Sequence, residues 1–252
     1  MKLFILGGTG NTGRRFISMA LGRGHAVTAY VRSREKLHAL LGEHLEHLEV
    51  IEGDIADTVG LTSAMRGHDA VINAAGNAQD GARYPPLVEA VISAAETALP
   101  AGGRFWLFGG AAVLDVPGTD HTMLRFRQVP KIFQAHAVNL ARVTRSDLDW
   151  SMLCPGPMVD AADGTPHDGL RLSRDTWPVE RPGFTKVLPG PALLVAFMQK
   201  MPELTIAYED AAKVILDHLE PGGPFSCARV GVALPKGLTL HKQKIMRSDL
   251  SS

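Results

Sequence analysis

The chain has 252 residues, 45% of them hydrophobic and 21% charged, enough to bury one sizeable core and too apolar for a disordered chain. Its 26 Lys and Arg balance 26 Asp and Glu, so no basic field draws in nucleic acid or anionic lipid. Two cysteines, Cys154 and Cys227, are too few for a disulfide framework, carry no metal-ligand spacing, and point to the reducing cytoplasm.

The opening apolar run ends at Gly7, short of the roughly 7–15 residues at the core of a secretion signal, and reads as a strand over Lys2–Leu6. Further strands are predicted at Ala26–Val31, Leu48–Glu52, Ala70–Asn73, Arg104–Phe108, Trp150–Leu153 and Cys227–Ala233. Val, Ile, Leu and Phe dominate them, as in strands covered by helices on both faces. Helices are predicted at Arg14–Arg23, stopped by Gly24, and at Arg34–Leu41, Thr58–Met65, Pro86–Leu99, Pro130–Ser146 and Glu209–Leu219. Thr58 is expected to cap its helix and Pro130 to open one.

Cys154–Pro191 is rich in proline and reads as loop. No stretch reaches the roughly 18 apolar residues of a membrane span, the run from Pro189 to Met198 being broken by Gly190 and Pro191, so a soluble protein is expected. The alternation predicts a Rossmann-type, doubly wound parallel α/β sheet with a small C-terminal substrate lobe. Residues 1–154 would form the dinucleotide-binding core, and 155–252 mostly the lobe, with one helix and one strand returning to the core. The polar tail from Lys236 is expected to fray.

Gly7, Gly8, Thr9, Gly10, Asn11, Thr12 and Gly13 contain both G-x-G-x-x-G and G-x-x-G-x-x-G spacings. Either pattern is weak alone, but here it follows a strand and opens a helix, where amides and helix dipole favour a diphosphate. A P-loop is excluded, because Arg14 and Arg15 stand where Lys and Ser or Thr would be needed. An NAD site places a carboxylate about 20 residues past the loop. This chain has Arg32 at that place, followed by Ser33, a pair suited to a 2′-phosphate. NADP(H) is thus expected, with NAD as the lesser cofactor; the bland alternative is that Arg32 is a solvated strand-end residue.

These motifs, with Val31-Arg32, Gly53-Asp54, Asn73-Ala74-Ala75-Gly76, Phe108-Gly109-Gly110-Ala111-Ala112, Leu148-Asp149-Trp150 and Tyr208-Glu209-Asp210-Ala211-Ala212, resemble the atypical short-chain dehydrogenase/reductase superfamily. The resemblance spans most of the chain and is to the group of NmrA-like proteins, biliverdin reductase B and NADH-flavin reductases. It implies that Asp54 and Ile55 flank the adenine, that Ala74, Ala75 and Gly76 line the path to the nicotinamide, and that Gly109 and Gly110 lie beneath its ring. Typical short-chain dehydrogenases, unlike this chain, use a Tyr with a Lys four residues later. Tyr30, Tyr84 and Tyr208 are followed at that spacing by Arg34, Val88 and Ala212, and Gly109–Ala112 holds no hydroxyl.

Without that pair, a flat conjugated acceptor is the natural substrate, since a flavin or quinone takes its proton from solvent. If a protein acid exists, His136 is the first candidate, against a reading as a packing histidine; Lys131, Asp120 and His121 follow. His38, His44 and His47 lack the context of a metal site, and no metal is expected. Cys154 reads as an inert thiol, and Trp177, Phe184 and Phe197 as apolar cover. The chain is expected to be an NADP(H)-dependent oxidoreductase acting on a small molecule, as monomer or homodimer, without a membrane. Its rivals are a non-catalytic NADP(H) sensor of the NmrA type and, last, an epimerase or dehydratase.

Overall fold

The computed structural model describes residues 1–42, 46–76, 78–119, 121–180 and 190–241, without the side chains of 190–192. His44, Asp120 and Phe184 therefore lie outside the described residues. The first half alternates without exception: β1 (Lys2–Leu6), α1 (Asn11–Gly22), β2 (Ala26–Val31), α2 (Arg34–Leu41), β3 (Leu48–Glu52), α3 (Thr58–Met65), β4 (Ala70–Asn73), α4 (Tyr84–Ala98) and β5 (Arg104–Phe108). Then come α5 (Gln134–Val143), β6 (Asp149–Cys154), β7 (Met158–Val159), β8 (Arg171–Arg174), α6 (Gly190–Leu204), β9 (Ile206–Ala207), α7 (Tyr208–Leu216) and β10 (Ala228–Ala233).

The main sheet has eight strands in the order β3-β2-β1-β4-β5-β6-β10-β8, with β8 antiparallel to β10 at one edge and the other pairings parallel. β7 and β9 form a separate parallel pair. Two apolar clusters cover the two faces of the main sheet. Phe4, Leu6, Val71, Phe105 and Leu107 point to one, and Leu3, Ile5, Ile72, Trp106 and Leu153 to the other. Side chains alternate along each strand, so apolar residues at every position show that both faces are buried. The strand order reverses between β1 and β4, which opens a crevice at their carboxyl ends.

Five local expectations need correction. α1 begins at Asn11 rather than Arg14, so Gly13 belongs to its first turn. Asp57, not Thr58, caps α3, its side chain accepting the Gly60 N–H at 3.0 Å. Pro130 precedes a 3-10 turn, Lys131–Phe133, and α5 is shorter than predicted at both ends. The segment read as loop contains β7 and β8, and the broken apolar run continues as α6. Finally, β9 was invisible because two residues carry no period. β8 was hidden because a short edge strand with charged residues lacks the apolar signature of its interior neighbours. Among the described residues no helix is long and apolar enough to cross a membrane.

Candidate functional site

The loop after β1 turns at Gly7, whose φ is +80° and whose carbonyl accepts the Gly10 N–H at 2.9 Å. A Cβ on Gly7 would meet the Ala74 carbonyl oxygen at 2.4 Å, so this turn and the loop after β4 touch across the crevice. Gly13 is equally constrained from within, because its Cβ would lie 2.1 Å from the Gly7 oxygen. Gly10 differs. It is exposed, its φ is −82°, and its Cβ would meet nothing closer than the Gly7 oxygen at 3.2 Å. The protein itself does not demand glycine at this position, and the space above it is open.

Gly10 caps α1 without a side-chain hydrogen bond, and no acidic residue sits in the first turn. The first intrahelical bond runs from the Arg14 N–H to the Gly10 carbonyl at 3.1 Å, which leaves the Asn11, Thr12 and Gly13 N–H groups to point outward. Positive helix end, free amides and open floor together make a cradle that fits a diphosphate.

At the end of β2, Arg32 is exposed and has no ion-pair or hydrogen-bond partner among the described residues. Ser33 caps α2, its oxygen accepting the Lys36 N–H at 3.1 Å, so its hydroxyl proton remains available. After β3, Tyr30 donates to the Asp54 carbonyl at 3.1 Å, and Asp54 Oδ1 accepts the Ala56 N–H. Asp54 is exposed, and Ile55 is half-buried against the core. After β4, buried Asn73 accepts the Ala75 N–H at 3.0 Å and shapes the Ala74–Gly76 turn.

The loop after β5 reaches the same crevice. Gly109 lies over Met152 and Cys154, where a Cβ would come within 2.7 and 3.0 Å of the two sulfurs. Gly110 faces His136, whose Cδ2 and Nε2 would be 3.2 and 3.3 Å from a Cβ there. The His136 ring stacks on Phe133 at 6.2 Å and meets Tyr84 edge-on at 5.7 Å. Tyr84 donates to the Phe108 carbonyl at 3.1 Å, with the Asn139 amide beside its hydroxyl.

These groups are held neutral. Burial pushes the His136 pKa down to about 4 and the Tyr84 pKa up to about 12, and it raises the Cys154 thiol further still. His136 thus borders Gly110 beside the crevice, and burial disfavours its imidazolium near neutrality. Lys131 is exposed on the 3-10 turn before α5. Trp177 and Phe197 pack on each other at 5.0 Å, both buried. His47 lines a separate cleft of about 520 Å³ at the opposite, amino-terminal edge of β1 to β3. Among the described residues no three His, Cys, Asp or Glu side chains gather as metal ligands.

Tyr84 and Asn139 escaped the sequence reading, Tyr84 because no lysine follows at the expected spacing. Topology was the available signal: the helix after a parallel strand starts at that strand's carboxyl edge, so the first residue of α4 must border the crevice. A further unread link joins the glycine turn to α7. Asn11 Nδ2 lies 3.5 Å from the Tyr208 hydroxyl, and Arg15 binds Glu209 at 2.6 Å and also contacts Asp160.

A family model for NAD(P)H-binding proteins matches residues 7–180, from the glycine turn through β8. The chain belongs to this NAD(P)H-binding family. Three relatives illustrate its breadth. The uncharacterised YwnB of Bacillus subtilis strain 168 is 26% identical, over 87% of this chain and 92% of its own. A candidate NADH-flavin reductase of Streptococcus pneumoniae TIGR4 superposes with a TM-score of 0.69 at 22% identity, covering 93% of this chain and 99% of its own. A short-chain dehydrogenase/reductase of Veillonella parvula DSM 2008, solved with NADP, has a TM-score of 0.67 at 16% identity, covering 95% and 96%. This NAD(P)H-binding protein shares its Rossmann-like architecture with both structures.

Proposed function

We propose that this protein is an NADP(H)-dependent reductase of a flat, conjugated acceptor such as a flavin or quinone. The observation that carries the reading is the wall beside Gly109 and Gly110, where Tyr84, His136 and Cys154 are all kept neutral. A phenol and a thiol with raised pKa, the phenol already donating to the Phe108 carbonyl, and an imidazole without its second proton are poor acids near neutrality. The wall therefore suits an acceptor that draws its proton from water better than ketone or alcohol chemistry, which calls for a protein acid. The flavin reductase name carried by the Streptococcus relative points the same way.

In this reading Gly7, Gly8, Thr9, Gly10, Asn11, Thr12 and Gly13 hold the diphosphate, and Arg32 with Ser33 takes the 2′-phosphate. Asp54 and Ile55 flank the adenine, and Ala74, Ala75, Gly76, Gly109 and Gly110 border the nicotinamide. The coenzyme, when bound, supplies a hydride; the chain orients the two rings and keeps ionised side chains away from them. The preference for NADP(H) rests on Arg32, which has no partner among the described residues to give up.

Loss of NADPH absorbance with a panel of flavins and quinones tests the activity. Turnover with none of them, despite NADPH binding, would instead favour the NADP(H) sensor, a role equally compatible with a site lacking the Tyr-Lys pair. Arg32→Ala should weaken NADPH binding about tenfold or more while changing NADH binding little, the loss expected for a charge-assisted contact. Equal effects on both coenzymes, measured by calorimetry, would refute the cofactor preference.

A further inference from the structure

Among the buried side-chain nitrogens with no hydrogen-bond partner among the described residues is His136 Nδ1, on α5 beside the crevice. Unpaired buried polar atoms are rare and call for a reason. For His136 the ring geometry supplies one. Its Nδ1 is sealed off, its face lies on Phe133, and Tyr84 meets it edge-on. The Cδ2–Nε2 edge faces the opposite way, toward the half-exposed backbone of Gly110.

A neutral imidazole has one N–H and one lone pair. A buried N–H without an acceptor is tolerated less well than an unmatched lone pair, so the proton belongs on Nε2 and the lone pair in the sealed position. We propose that His136 is a hydrogen-bond donor, through Nε2–H, to a carbonyl oxygen of the acceptor held over Gly110, which makes the substrate class a conjugated carbonyl compound. This rests on the reductase reading above and narrows it, favouring quinones, enones and flavin-type imides over carbonyl-free acceptors.

Burial keeps the ring neutral, with its pKa pushed down to about 4, so the donor persists at ordinary pH and its proton is not surrendered. In the reduction the acceptor gains two electrons and two hydrogens, one as hydride and one as a proton from water, and the coenzyme is oxidised by two electrons. Negative charge grows on the carbonyl oxygen before that proton arrives. A fixed N–H aimed at the oxygen strengthens as the charge develops, and His136 ends the cycle unchanged.

Two measurements test the assignment. In long-range 1H–15N spectra of the whole protein at neutral pH, with His136 assigned by its loss in His136→Phe, the ring should be neutral with the proton on Nε2. An imidazolium or an Nδ1–H form would overturn the proposal. Kinetically, kcat/KM with menadione, a quinone, is compared with that for methylene blue, a dye lacking a carbonyl, in wild type, His136→Phe and His136→Gln. The ratio of menadione to dye should fall about tenfold to hundredfold in His136→Phe and partly recover in His136→Gln, which retains a side-chain N–H. NADPH affinity reports that each variant is folded. An unchanged ratio in a wild type that turns over both acceptors overturns the donor role alone, whereas no turnover with either brings down the reductase reading and the donor role together.

Discussion

At the scale of single residues, Gly10 and Gly13 answer to different constraints although the motif spells them alike. Gly13 is small because the protein requires it: a methyl there runs into the Gly7 carbonyl at 2.1 Å and the Gly8 Cα at 2.9 Å. Gly13→Ala should therefore cost about 1–3 kcal/mol in urea unfolding through forced backbone movement. Gly10 has an ordinary φ and open space, so Gly10→Ala should cost about 1 kcal/mol or less. The methyl would nonetheless stand in the proposed path of the diphosphate, and NADPH affinity should drop about tenfold or more. Calorimetry and urea melts on both variants separate the two effects. Normal NADPH binding by a stable Gly10→Ala variant would place the diphosphate elsewhere.

At the scale of elements, α5 carries a built-in acid sensitivity. The unfolded chain protonates His136 near its ordinary value of 6.5, whereas the folded chain resists until about 4 because burial penalises the cation. The sign follows: the unfolded state binds more protons between those values, so stability is whole above about 6.5 and declines as pH falls toward about 4, flattening below. The full span is worth about 3 kcal/mol. The ring neighbour Tyr84 is itself neutral throughout this range, its pKa lying at about 12, and so does not offset the effect. Urea unfolding from about pH 7 down to about pH 4.5 should show the decline in wild type and a shallower slope in His136→Phe, where no proton is taken up. Identical slopes would mean that the ring is already charged in the fold.

At the scale of the whole molecule, the proposed binding core does not end where its last predicted strand ends. α7 packs on α1, and the contact includes the buried carboxylate of Glu209, which accepts from Arg15 at 2.6 Å and from the Ala161 N–H at 3.1 Å. β10 lies beside β6 in the sheet, and Arg104 reaches across to the His218 carbonyl at 2.9 Å. A fragment of residues 1–154 would expose β6 as a long apolar edge and strip the apolar cover from α1. It should fail to show a cooperative thermal transition by circular dichroism. A sharp transition in that fragment would instead make the first 154 residues an autonomous domain.

The strands of the core and the glycine turn were legible residue by residue. β1 to β5 match their predicted limits: β1, β2, β4 and β5 are short, mostly apolar runs buried on both faces, a signal that needs no partner to be seen, and the partly exposed edge strand β3 still carries Leu, Val and Ile. Local chemistry also carried the placing of Arg32 at the end of β2. Tertiary structure alone decided the rest: that β8 runs antiparallel at the edge, that Asn11 meets Tyr208, and that Tyr84, Asn139 and His136 share one wall. Tyr84 and His136 stand 52 positions apart and belong to different helices. Their meeting depends on two crossovers returning to the same edge of the sheet, and so does the burial that holds both rings neutral, a property of the packed molecule that no local pattern encodes.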